Sequence, residues 1–159
     1  MTDVDIELHV NGEAHRCTVA PRRLLTDVLR EDLHLTGTRT GCEHGSCGTC
    51  TVLLDGQPAR ACLVFAVQLA DGTSIETVES LGGEEDLHRL QQAFLDHHAL
   101  QCGFCTSGFL MVGAELLRRD PPPDDAALRD AISSNLCRCT GYTPIAQAVR
   151  ACIGTPVEG

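Results

Sequence analysis

The stretch Gly41-Cys42-Glu43-His44-Gly45-Ser46-Cys47-Gly48-Thr49-Cys50 decides how the first half of the chain is read. With Cys62 it has the spacing C-x4-C-x2-C-x11-C. A tight loop can place three thiolates and a nearby strand the fourth, so that all four converge. Gly41, Gly45 and Gly48 let the loop curl, because glycine tolerates positive φ, and they admit backbone N–H groups close to the sulfurs. Strands are expected around this loop. Ile6, Leu8 and Val10 alternate with polar neighbours, the period of a half-buried strand. Asn11-Gly12 supplies a tight hairpin turn, and residues 13–19 return. Residues 51–54, Asp55-Gly56 and residues 58–62 form a second hairpin, and residues 74–78 a last strand. Between the hairpins, Thr26 is placed to cap a short helix whose apolar face is Val28, Leu29 and Leu33. Two hairpins around one helix suggest a small β-grasp sheet.

The first three cysteines match the plant-type [2Fe–2S] ferredoxin run. Two irons bridged by two sulfides need four thiolates, and N–H groups aimed at the sulfurs stabilise the added electron of the reduced state. The competing assignment is a structural zinc site, but zinc commonly takes its four cysteines as two close pairs. The glycine-rich loop fits iron–sulfur better.

Composition changes near residue 80. Residues 79–86, ESLGGEED, read as a flexible acidic joint whose acidic end suits a helix N-terminus. Leu87, Leu90, Phe94 and Leu95 follow at helical spacing, as do Phe109, Val112, Leu116 and Leu117. Pro121-Pro122-Pro123 ends that helix. Asp124 or Asp125 caps a third, with Ala127, Leu128, Ala131 and Ile132. Thr143-Pro144 reads as a cap with proline at the first helical position, before Ile145, Ala148, Val149 and Cys152. The expected class is therefore α+β: a β-grasp domain over residues 1–79, then a four-helix domain over 80–159. Cys102, Cys105, Cys137 and Cys139 (C-x2-C-x31-C-x-C) fall at the ends of these helices and can meet at one end of the bundle. Alone this set is less decisive, since C-x2-C also serves zinc and redox sites.

Lys and Arg total 12 against 22 Asp and Glu, a net charge of −10. Nucleic acid, which needs a basic face, is not an expected partner. The start, Met1-Thr2-Asp3-Val4-Asp5, has neither the basic nor the apolar region of a signal peptide, and no apolar run approaches a membrane span. A cytoplasmic place follows as an expectation. Ten cysteines in such a chain are better explained by metal than by disulfides.

The runs Gln101-Cys102-Gly103-Phe104-Cys105-Thr106-Ser107-Gly108-Phe109 and Asn135-Leu136-Cys137-Arg138-Cys139-Thr140-Gly141-Tyr142 resemble the second-cluster signatures of the xanthine oxidase family. Residues 41–50 resemble its first-cluster loop. The similarity extends from Val4 to Cys152 and is closest to the separate small iron–sulfur subunits of molybdenum hydroxylases, such as the carbon monoxide dehydrogenase small subunit. It implies two [2Fe–2S] clusters, held by Cys42, Cys47, Cys50 and Cys62 and by Cys102, Cys105, Cys137 and Cys139. It implies a large molybdopterin-binding catalytic subunit and, in many members, an FAD-binding medium subunit. Gln101 and Cys139 fall on the positions that contact the pterin. Ser107 stands where many relatives have proline.

The implied function is electron relay from molybdopterin to FAD or another acceptor, with no catalytic residue on this chain. A free-standing two-cluster ferredoxin and a zinc-stabilised interaction module are the alternatives. Cys17 and Cys152 fall in neither set and read as small buried hydrophobes. His97 and His98 read as a solvated helix end, and Glu84, Glu85 and Asp86 as solvated. His44 has a loop role, and Arg138 offsets cluster charge, faces a partner or pairs with the acidic surface.

Overall fold

Asn11 and Gly12 both have positive φ, 53° and 85°, the turn whose twist matches that of the strands it joins. They connect β1 (Val4–Val10) to β2 (Glu13–Val19) in antiparallel register from Val10↔Glu13 to Val4↔Val19. Asp55 and Gly56 repeat the device, at 47° and 77°, between β3 (Thr51–Leu54) and β4 (Gln57–Arg60). The last strand, β5 (Ser74–Glu76), inserts between the hairpins, parallel to β1 and antiparallel to β3. The five-stranded order is β2-β1-β5-β3-β4. The computed structural model describes residues 2–69, 72–83 and 85–153.

Alternation puts Ile6, Leu8 and Val10 on the inner face of β1, where they meet Leu25, Val28 and Leu29. Those three lie on α1 (Leu25–Asp27) and on the π turn Val28–Asp32 that continues it. A helix crossing a mixed sheet in this way is the β-grasp. Several local expectations change. Leu24, not Thr26, precedes the helix; Thr26 is buried and its hydroxyl meets that of Thr40 at 3.2 Å. The fourth strand stops at Arg60, so Cys62 sits on the 3-10 turn Ala61–Leu63 rather than on a strand. The fifth stops at Glu76, and Val78–Ser80 is a further 3-10 turn.

The second half holds α2 (Arg89–Asp96), α3 (Thr106–Arg118), α4 (Asp125–Ser133) and α5 (Thr143–Cys152). Every residue of α3 from Ser107 to Leu116 is buried, because the helix is covered by the bundle on one side and by the sheet domain on the other. Phe94, Phe109, Leu116, Ile132, Ile145 and Val149 fill the bundle core, each contributing about 1.5–3 kcal/mol by leaving water. Glu115, also buried, is held in a two-bond pair with Arg119 at 2.6 and 2.8 Å.

Asp124 caps α4 through Ala127 N–H at 2.8 Å, as the sequence suggested. The α2 cap is instead His88: its Nδ1 accepts from Leu90 N–H at 3.2 Å, while Gln91 Oε1 accepts from His88 N–H. Tyr142, at φ 70°, precedes α5 without a side-chain cap, so Thr143 is already helical and Pro144 lies one position later. Nor is the joint wholly loose: Glu79 accepts from Gly37 N–H at 2.8 Å and from the Thr77 hydroxyl. Glu85 and Asp86 are exposed; Glu84 lies outside the described residues.

The domains keep separate cores and meet along a polar seam. Arg118 forks onto Glu76 at 2.7 and 2.6 Å, and Arg60 Nη2 donates to the Ser134 carbonyl at 2.6 Å. The two cysteine loops face each other across the same seam.

Candidate metal centres

The first loop wraps its own sulfurs. Glu43, Gly45 and Gly48 have φ of 58°, 82° and 76°, a left-handed region that glycine enters without cost. Gly41 serves differently: a Cβ there would crowd Cys47 Sγ at 3.1 Å and Phe104 at 3.3 Å. The curl turns the N–H groups of His44, Cys47 and Ser46 toward Cys42 Sγ, with Cys47 N at 3.3 Å. These bonds, His44 first, lower the Cys42 thiol to about 6. Cys50 and Cys62 are the buried partners, 2% and 3% exposed. Burial pushes Cys50 up to about 11, and its thiol is hydrogen-bonded to that of Cys62. The loop thus divides into an outer pair, Cys42 and Cys47, and an inner pair, Cys50 and Cys62.

The second set divides the same way. Cys102, before α3, meets Cys139, before α5, with sulfurs 3.6 Å apart. Cys105 meets Cys137, and burial pushes Cys105 up to about 12. Burial acts on Cys137 too. There the Thr140 hydroxyl and N–H, at 3.1 and 3.4 Å, and the Cys139 N–H outweigh it and lower the thiol. The Phe104 N–H lowers Cys102. Tyr142 OH accepts from Cys137 N–H at 3.0 Å and fixes the loop between α4 and α5. Cys105 and Cys137 are half-buried; Cys102 and Cys139 are exposed.

Among the described residues, no three His, Cys, Asp or Glu side chains close around a single point as one metal ion requires. Each cysteine set instead offers two pairs of thiols ringed by N–H donors. That is the ligand arrangement of a two-iron rhomb, with two thiolates per iron and hydrogen bonds to sulfur. A groove of about 290 Å³ joins the two sets, lined by Cys42, Cys47, Cys102, Cys105 and Cys139 among others.

Gln101 Nε2 donates to the Cys139 carbonyl at 3.1 Å, so these two residues are one exposed unit. Cys17 lies half-buried against the first core, and Cys152 is buried in the second, 5% exposed. His97, His98 and Arg138 are exposed. Ser107 is buried with its hydroxyl unpaired. Asn135, 1% exposed, and Tyr142 had no role assigned from sequence alone. An asparagine two residues before Cys137 was the available signal, since burying its amide requires partners.

Fold and thiol pairing define a two-cluster iron–sulfur protein. The 2Fe-2S iron-sulfur cluster binding domain family matches residues 8–76, and the [2Fe-2S] binding domain family residues 77–150. The chain is 59% identical over 144 residues to 6-hydroxypseudooxynicotine dehydrogenase complex subunit beta of Paenarthrobacter nicotinovorans, covering 90% of this chain and 89% of that one. It is 53% identical to caffeine dehydrogenase subunit gamma of Pseudomonas sp. strain CBB1, covering 91% and 88%. The crystal structure of quinoline 2-oxidoreductase from Pseudomonas putida 86 superposes with a TM-score of 0.88 at 50% identity, over 94% of this chain and 91% of that one. The chain belongs to the small iron–sulfur subunits of the molybdenum hydroxylases, the xanthine oxidase family. It is an electron-transfer subunit of a multi-subunit oxidoreductase with a larger catalytic partner, and it carries two [2Fe–2S] clusters. Among the described residues no helix is long and apolar enough to cross a membrane.

Proposed function

We propose that Cys42, Cys47, Cys50 and Cys62 hold the first cluster in a domain spanning 1–79. Cys102, Cys105, Cys137 and Cys139 hold the second in a domain spanning 80–159. Electrons enter from a molybdopterin centre at the Gln101–Cys139 corner and leave from the first loop to FAD on a medium subunit, in the cytoplasm. The observation that carries this reading is the graded burial of the four thiol pairs. Cys102 and Cys139 lie at the surface and Cys50 and Cys62 in a core, while Cys42, Cys47, Cys105 and Cys137 are intermediate in burial. A relay with one end docked on a partner has this profile.

When bound, a [2Fe–2S] cluster takes up and releases one electron at a time. The chain's residues set the terms. Thiolates fix each iron, and the N–H groups around Cys42 and Cys137 stabilise negative charge on sulfur. Burial at Cys50 and Cys62 opposes such charge and excludes water. The Gln101 amide orients the Cys139 backbone and keeps a free carbonyl oxygen to accept from a pterin edge. Next to Cys62, Leu63 is 59% exposed and packs on Gly45, and Phe65 is 43% exposed. Apolar side chains at the rim of the first loop suit the flavin subunit.

Substrate choice belongs to the catalytic partner. The relatives named above act on 6-hydroxypseudooxynicotine, caffeine and quinoline, so nitrogen heteroaromatics are the substrates to try first. Purification from the native source tests the assignment. The chain should elute with a larger subunit, with molybdenum, flavin and about four irons per copy. Elution alone with a full iron load would favour the free-standing ferredoxin, and an intact complex without flavin would remove FAD from the scheme.

A further inference from the structure

At the seam between the domains the two ligand loops touch. Leu136 N–H donates to the carbonyl of Cys47 at 2.8 Å. Cys47 is a ligand of the first set, and Leu136 is bonded directly to Cys137 of the second. One hydrogen bond therefore connects the backbones of two ligands from different clusters. Beside it, Asn135 is buried and its Nδ2 donates to the Gly48 carbonyl at 3.2 Å. Gly48 and Gly108 close on this amide from both sides. A Cβ at Gly108 would overlap the Gly48 carbonyl oxygen and lie 2.8 Å from Asn135 Nδ2, and one at Gly48 would lie 3.0 Å from Asn135 Cα. Neither position has room for a methyl group, and protein interiors yield little to such overlaps.

We propose that Asn135, clasped between Gly48 and Gly108, is the positioning residue that sets the separation of the two clusters, and that the Leu136 N–H to Cys47 carbonyl bond is the link through which they couple. In the loaded chain one electron would pass from the reduced centre to the oxidised one, with no bond broken and no proton moved. Such transfer weakens steeply with distance, so a clasp with no spare volume fixes its rate. The proposal rests on the ligand assignment above. A seam that only glued the domains would affect stability without touching the interaction between two paramagnets.

Gly108→Ala is the wedge: it changes no ligand but forces α3 away from the first loop. In the holoenzyme it should keep the full iron content and both separate cluster signals. The magnetic splitting between the two reduced clusters should shrink, and electron exchange between them should slow severalfold. Asn135→Ala removes the clasp instead of wedging it and should shift both readouts in the same direction. Exchanging the amide of residue 136 for an ester deletes only the donor, and should slow exchange while leaving the through-space splitting in place. If Gly108→Ala and Asn135→Ala keep both signals with splitting and rate unchanged, the positioning role is overturned. If the ester leaves the rate unchanged, the coupling link is overturned. Where the wedge costs a cluster, Asn135→Ala decides by the same two readouts. Iron content and the individual signals report separately on the ligand assignment, so its failure is distinguishable.

Discussion

The two cysteine sites solve one problem with different material. The first is a curl of backbone: three of its cysteines lie within one loop, and the fourth arrives on a 3-10 turn against the sheet core. The second is assembled from distant segments, with two cysteines before α3 and two before α5, brought together by the bundle. The first therefore keeps a pair that is 2% and 3% exposed, while the second leaves Cys102 and Cys139 at the surface. A local loop can be sunk into its own domain. A site made at the end of a bundle stays open on the side where the helices stop, the side on which the proposed function docks the catalytic subunit.

The largest effect expected from breaking this contrast is loss of a cluster. Cys47→Ser should remove the first and Cys137→Ser the second, each lowering iron from about four to about two per chain. Each should erase a different paramagnetic signal on reduction. If both variants lost the same signal, the grouping of ligands would be wrong. A smaller but still clear effect is expected from a chelator. In the isolated chain iron should leave the second site first, through the exposed Cys102–Cys139 pair, and docking on the catalytic subunit should slow that loss. Loss of the first cluster ahead of the second, followed by absorbance and iron release, would reverse the comparison.

Gln101→Ala should keep both clusters and the molybdenum content while slowing reduction of the second site in rapid-freeze experiments, because the Cys139 backbone loses its tie. An unchanged rate at full molybdenum occupancy would remove Gln101 from the relay. The smallest effects belong to the two cysteines outside the sites. Cys17→Ala and Cys152→Ala should leave both signals intact and cost at most about 1–2 kcal/mol in urea unfolding. Cys152 should cost more, because it is buried in the bundle whereas Cys17 lies half-exposed at the sheet.

The parts of the molecule legible in sequence were those with a local cause. The hairpin turns at Asn11-Gly12 and Asp55-Gly56 follow from residues that accept positive φ. The Asp124 cap follows from a side chain next to the N–H it serves. Both cysteine groups were visible as spacing. Thr26 misled because its hydroxyl found a partner across the fold, in Thr40, rather than along the helix. His88 was missed as a cap because an imidazole accepting an N–H is an uncommon cap, while acidic residues stood nearby. Thr143 misled because Tyr142 made the turn into α5 one residue earlier. Above all, the division of each set into thiol pairs depends on how each domain folds around its own loops, and the meeting of Asn135 with Gly48 on how the two domains dock, and spacing along the chain carries no record of either.

The shared backbone at the seam has a consequence for assembly. Cys47 and Gly48 belong at once to a ligand loop and to the surface that receives Leu136 and Asn135. Whatever orders that loop also prepares the docking surface, and docking in turn orders the loop, since coupling between two binding events is reciprocal. On the proposed ligand assignment, iron at one site should strengthen binding at the other without any ligand in common. A cluster whose neighbour has been lost should therefore be held more weakly against a chelator than the same cluster in the fully loaded chain.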